Sequence, residues 1–239
     1  MGHAAGSRAA AAAAALLALS VLEARADDMD HLYSAVQIEQ FEYRSGEGDD
    51  SFAWDAHAWL GTDDNKAWFK TEGEKPFDDA VEEAETQLLY SRRISDFFDV
   101  QAGGRYDFRP DPERAYGVVG LHGLAPMFVE VDASAFISDE GDLSARFKAE
   151  YDLLITQKLV LQPLLEVNLA ADEVEELGIG QGINDVEFGL RLRYEIAREF
   201  APYVGVTWHR LLGQTADFAQ SDGHDDQTFS FVAGVRMWF

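Results

Sequence analysis

The chain has 239 residues, no cysteine, and 44 acidic against 19 basic side chains, a formal net charge of -25. That acid excess disfavours nucleic acid, whose phosphates it repels, and the missing cysteines exclude disulfides, thiolate nucleophiles and Cys-ligated zinc. The length suits one large all-β domain or two ordinary domains.

Taken from the front, Arg8 precedes a run of seven alanines and then LLALSVL. This apolar stretch of about 14 residues is followed by Ala24-Arg25-Ala26, with small residues at the two positions a signal peptidase reads. Residues 1–26 therefore read as a signal peptide cleaved before Asp27, and residues 27–32 as a short periplasmic lead-in. No later segment holds the ~18 uninterrupted apolar residues of a membrane-spanning helix.

From residue 33 onward the period is two. Alternation marks candidate strands near residues 33–44, 52–60, 66–73, 84–93, 99–109 and 115–124. It is clearest in FVEVDASAFIS, where Val129, Val131, Ala133, Ala135 and Ile137 alternate with Glu130, Asp132 and Ser134. LSARFKAEYDL then sets Leu143, Ala145, Phe147, Ala149 and Tyr151 against Arg146, Lys148, Glu150 and Asp152. A weaker strand near 159–169 precedes VEFGLRLRYEI, which opposes Val186, Phe188, Leu190, Leu192, Tyr194 and Ile196 to Glu187, Arg191, Arg193 and Glu195. Strands near 202–212 and 228–239 complete the chain, the last carrying Phe229, Phe231, Ala233, Val235 and Met237 on one face up to Phe239.

One face of each strand is apolar and the other ionic. A soluble β-sandwich also alternates, but its strands run to about five or six residues, whereas many of these reach the nine to eleven that cross a bilayer at a tilt. The connections GTDDNK, ISDFF, LAPM, ITQK and AREFA are short. They alternate with connections at 45–51, 74–83, 110–114, 170–182 and 213–227 that are mostly longer and rich in Gly, Asp and Glu, DEGD at 139–142 being the one short exception. Trp59, Trp68, Phe69, Phe97, Phe98, Tyr203, Trp238 and Phe239 gather near strand ends like the aromatic girdles of a membrane barrel. The predicted fold is all-β: a transmembrane antiparallel up-and-down β-barrel of about 12 strands over residues 33–239. Phe239 reads as an assembly signal on a closing strand that pairs with the strand near 33–44.

If lipid covers the apolar face, the other face lines the lumen with both signs of charge, among them Glu39, Asp55, Lys70, Glu72, Glu85, Arg105, Asp132, Arg146, Lys148, Glu166, Arg191 and Arg236. Two readings stand: a ladder of ion pairs that fills and stiffens the barrel, or a narrow cation path. Enzymatic readings find little support, since the six histidines form no recognisable set with a serine and there is no HExxH, phosphate loop or EF-hand loop. Gly178-Ile179-Gly180-Gln181-Gly182 precedes a strand and reads as a loop with unusual backbone angles. Met29 and His31 offer a thioether and an imidazole that suit copper. His57, facing in with Asp55, and His209, facing in with Tyr203 and Thr207, are each a metal ligand or a hydrogen-bonded filler. The glycine-rich strand around His122 leaves its facing open.

The stretch LHGLAPMFVEVDASAFISDEGDLSARFKAEYDLLITQKLVLQPLLEVN, then GIGQGINDVEFGLRLRYEIAREFAPYVGVTWHR and the closing AGVRMWF, resembles the copper resistance protein B family of the bacterial outer membrane. The resemblance runs from about Leu32 to Phe239. It implies an outer-membrane barrel serving copper tolerance, usually beside a periplasmic multicopper oxidase. Members often carry a Met- and His-rich tract before the barrel, and only Met29-Asp30-His31 occupies that place here. The resulting expectation is a non-catalytic barrel that meets outer-membrane lipid and binds copper ions or lets them pass. Its candidate metal contacts are Met29, His31, Asp55, His57, Glu72 and His209. A passive porin acting on metal tolerance only through permeability is the alternative, and a barrel hydrolase with a Ser or Thr beside a His at one rim is a third.

Overall fold

The structure, a computed structural model, describes residues 32–46, 50–77 and 81–239. The expected signal peptide and lead-in, with Met29 and His31, lie outside the described residues. The strands are β1 Tyr33–Gly46, β2 Ser51–Gly61, β3 Asn65–Pro76, β4 Glu83–Arg93, β5 Phe98–Arg109 and β6 Arg114–Ala125. They continue as β7 Val129–Ser138, β8 Leu143–Glu150, β9 Leu153–Leu154, β10 Leu159–Ala170, β11 Gly182–Tyr194, β12 Phe200–Leu211 and β13 Gln227–Trp238.

All belong to one sheet of antiparallel neighbours, and β13 pairs back onto β1. The last residue completes that seam: the Val36 N–H donates to the Phe239 carbonyl at 3.0 Å, and the Phe239 N–H donates to the Val36 carbonyl at 2.8 Å. Closure removes the two long free edges that an open sheet would leave, the short β9 alone among the described strands having a partner on one side only.

Both β8 and β9 pair with β10 in one continuous register, so thirteen strands make twelve staves. Pro163 explains the break between them. The Tyr151 N–H donates to the Pro163 carbonyl at 3.2 Å, but proline has no N–H to return.

The outward face is apolar. Leu88, Tyr90, Val119, Ile137, Val204 and Phe231 are all exposed, as a lipid-facing surface requires. Among the described residues no helix is long and apolar enough to cross a membrane. At the end of the barrel that carries Tyr33 and Trp238, residues 62–64, 94–97, 126–128, 155–158 and 195–199 make tight connections. The opposite, distal end carries the longer connections at 171–181 and 212–226.

Three features depart from a uniform period of two. In β1 the register slips between Ile38 and Gln40, a β-bulge after which the inward side chains are Gln40, Glu42 and Arg44. Glu42 consequently points inward and is fully buried, although a constant alternation from Glu39 would turn it to lipid. Trp68, expected in the aromatic girdle, is instead buried inside, as is Tyr203, for which parity gave the inward facing and position near a strand end the girdle, and Trp59 packs against Trp68 in an apolar cluster with Leu89, Val118 and Phe136. Phe69, Phe97, Trp238 and Phe239 do remain on the outside.

The third departure is a short helix, α1 Gly213–Ser221, in the longest distal connection. It docks on the glycine-rich loop: the Thr215 hydroxyl accepts from the Gly180 N–H at 2.9 Å and from Asn184 Nδ2 at 3.2 Å, while Gln214 Oε1 accepts from the Gln181 N–H at 3.1 Å. Gly178 and Gly182 have φ of 65° and 110°, the left-handed region glycine tolerates. Gly180 is needed for contact: a Cβ there would lie 2.4 Å from Gln214 Cβ and 2.7 Å from the Thr215 nitrogen. Gly180→Val is expected to undock α1 while the barrel stays closed. Limited proteolysis of the folded protein in detergent checks this, with cutting faster within 171–181 and 212–226 and no change in the strand core.

Candidate functional site: the charged lumen

Inward positions of the staves supply the chemistry of the lumen. Its central cavity, of about 100 Å³, is lined by seven carboxylates, Glu39, Asp55, Glu72, Glu85, Glu130, Asp132 and Glu150, against three basic groups, Lys70, Arg146 and Lys148. Buried charges of this kind persist only when paired and hydrogen-bonded. The basic groups meet that demand by reaching across the barrel.

Arg146 on β8 is the centre. Its guanidinium contacts Glu72 of β3 at 3.0 Å, Glu85 of β4 at 3.0 Å and Glu166 of the adjacent β10 at 3.3 Å, and donates to Asn168 Oδ1 at 3.1 Å. The planar fork of donors suits three carboxylates at once, which an ammonium group cannot satisfy equally. Two staves are drawn in by lysines: Lys148 of β8 to Asp55 of β2 at 2.5 Å, and Lys70 of β3 to Asp132 of β7 at 2.5 Å. Arg105 extends the chain from Glu85, at 2.8 Å, onto the faces of Tyr116 and Phe136.

A second knot holds the closing seam. Arg191 of β11 donates Nε and Nη2 to the two oxygens of Glu42, both at 2.9 Å. Arg44 pairs with the same carboxylate at 2.9 Å and the Tyr203 hydroxyl donates to it at 2.9 Å. Every lone-pair direction of the fully buried Glu42 is thus used, and β1, β11 and β12 are tied together.

The candidate metal contacts separate under this geometry. Asp55, His57 and Glu72 all line the central cavity. Asp55 and Glu72 are already engaged, by Lys148 and Arg146. The His57 ring lies against the indole of Trp68 with centroids 5.1 Å apart. His209 does not join them: it lies near the distal end of β12, 3.5 Å from Asp185. Met29 and His31 fall outside the described residues.

Two residues outside the candidate metal contacts, His122 and Trp68, join the cavity. His122 faces inward, its ring 5.3 Å from that of Trp68 and its Nδ1 3.6 Å from Asp132. Trp68 itself shares the inward parity of Lys70 and Glu72, and Trp59 that of Asp55 and His57, so strand facing carried the signal that position near a strand end obscured. Among the described residues no group of three or more His, Asp or Glu side chains converges as a ready metal cage. Chemically the lumen offers a surplus of fixed carboxylates and separate imidazoles, held inside a barrel crossed by ion pairs.

Arg146→Met would leave Glu72, Glu85 and Glu166 without their shared cation, and removing one partner of a buried pair costs about 3–5 kcal/mol. Urea unfolding of the refolded barrel is expected to register a loss of that size, with Arg146→Lys restoring only part of it.

The family described as "Copper resistance protein B precursor" matches residues 32–239. Copper resistance protein B of Escherichia coli is 42% identical over 204 residues, covering 85% of this chain and 69% of that protein. The Copper resistance protein B homolog of Pseudomonas syringae pv. tomato is 42% identical over 201 residues, covering 84% and 68%. Among solved structures, the NanC porin superposes with a TM-score of 0.52 at 14% identity, over 86% of this chain and 99% of that one. The KdgM porin in complex with disordered oligogalacturonate gives 0.50 at 12% identity, over 86% and 99%. These two likenesses are of fold alone.

Proposed function

We propose that this chain, which belongs to the copper resistance protein B family, is an outer-membrane barrel of copper resistance whose lumen and mouths bind copper ions and hold them or let them pass. The observation that carries this reading is the lining of the central cavity, seven carboxylates against three basic groups with His57 and His122 among them. A buried surplus of negative charge attracts cations, and imidazole selects copper over the alkali and alkaline-earth ions that carboxylates alone would take.

In the membrane, the tight connections face the periplasm and the longer, acid-rich connections face outward, where Glu173, Glu175 and Glu176 lie on the loop between β10 and β11. Met29 and His31, which would follow the expected signal peptide, are the proposed initial copper contact. A periplasmic multicopper oxidase is the expected partner. His209 with Asp185, near the distal end, would be a contact at the outer mouth. The absence of a cage with three converging ligands among the described residues fits a cargo that must also leave.

The alternative, a passive porin, accords less well with ion pairs that join β3 to β7 and β2 to β8 through the middle of the lumen. Growth of a deletion strain separates the two. Loss of tolerance to graded copper, with tolerance to zinc and nickel unchanged and the defect repaired by the intact gene, is the expected result. Equal sensitivity to all three metals would favour the passive reading.

A further inference from the structure

Most arginines of the strands turn inward. Arg105, Arg146, Arg191, Arg193 and Arg236 each reach a carboxylate there. Arg210, near the distal end of β12, does the opposite. It shares the outward parity of Val204, Val206 and Trp208, in a register that runs unbroken against both β11 and β13. Arg210 is exposed, and among the described residues no carboxylate pairs with it, although Asp225 and Asp226 stand on the adjoining connection.

Near the rim of a membrane barrel an outward arginine costs little, so its charge alone marks no site. The surface beneath it supplies the rest. Next on the same face is Trp208, stacked on Phe188 with centroids 5.8 Å apart and in register with Phe229. Indoles favour the level where headgroups meet acyl chains. Below Trp208 lies an apolar groove of about 600 Å³ on the outer face, bordered by Leu190, Leu192, Val204, Val206, Phe231 and Ala233. The small side chains of Val204 and Ala233, opposite each other in register, leave it open beside Phe231. Arg210 stands four residues from Val206, ~13 Å along the strand at ~3.3 Å per residue.

We propose that Arg210, Trp208 and this groove form a binding site for one phosphate-bearing lipid of the outer leaflet, with its phosphate on Arg210 and an acyl chain in the groove. The planar guanidinium offers phosphate two parallel N–H donors together with a full charge. Trp208 covers the region between headgroup and chain. Charge decides the occupant. A second copy packed symmetrically on the same face would bring another unpaired Arg210 and no anion to meet this one. The site rests on the orientation given above, which puts the distal rim in the outer leaflet, and does not depend on copper.

The test uses the full mature chain, refolded in detergent micelles and mixed with lipid A, a phosphorylated glycolipid, or with the same lipid stripped of phosphate. Native mass spectrometry counts the lipids that stay on the barrel once detergent is removed, and heat-dependent mobility on gels checks the folding of each variant. The wild type is expected to keep one phosphorylated lipid and to retain the stripped one about tenfold less, the scale of a lost charge-assisted contact. Arg210→Gln should lower retention of the phosphorylated lipid to that of the stripped one. Val204→Trp, which fills the groove, should lower retention of both. Arg92→Gln removes an exposed arginine of β4 that borders no part of the groove, and should change nothing. No retained lipid, equal retention of the two lipids, undiminished retention by Arg210→Gln or an equal loss from Arg92→Gln would overturn the site. So would a wild-type dimer that Val204→Trp splits, since the groove would then belong to a second copy. Copper tolerance of the deletion strain is read separately and stands or falls without these results.

Discussion

A charge buried inside a membrane barrel must find a partner, and in a cylinder the partner can be on the far wall. Arg146 meets this constraint by holding Glu72, Glu85 and Glu166 from three other staves. The rest of the lumen is arranged around it. Lys148 and Lys70 cross to Asp55 and Asp132, and the Glu42 knot ties the seam where β1 meets the strands at the end of the chain. These pairs give up hydration to form, so their value lies less in net stability than in fixing which staves face each other across the lumen.

The same pairs define what is left over. Three basic groups stand among the seven carboxylates of the lining, Arg105 and Arg236 each reach one more of them, and two imidazoles lie beside the rest. Two histidines on one buried indole and a lysine over its face are hard to explain as filler for a cavity of about 100 Å³ that aliphatic side chains would pack more cheaply. At the distal end, α1 and the glycine-rich loop brace one another, so the mouth is shaped by ordered structure on the strands that hold His209 and Asp185.

Much of this fold was legible from residue types alone, because a strand with lipid on one side and charge on the other must alternate. The staves, their antiparallel order, the short and long connections and the seam at Phe239 all follow from that one rule. It failed where the chain breaks its own period. The β1 bulge reverses the facing, so Glu42, the most deeply buried acid of the barrel, was not among the expected lumenal residues. Trp59 and Trp68 misled because aromatic residues near strand ends belong to the girdle when they face lipid and to the core when they do not, and only parity tells these apart. His122 stayed undecided because Gly117, Gly120 and Gly123 contribute no side chains from which facing can be read. Its register partner Asp132 and its ring contact with Trp68 are tertiary facts, absent from any local pattern.

Ion pairs that cross the barrel from β3 to β7 and from β2 to β8 should close the lumen when no cargo is present. Steady-state conductance of the wild-type barrel in planar lipid bilayers, in potassium chloride without copper, reads this out. A closed lumen gives no sustained ohmic current above the bare membrane, whereas a large, steady and weakly selective conductance means that the pairs do not close it.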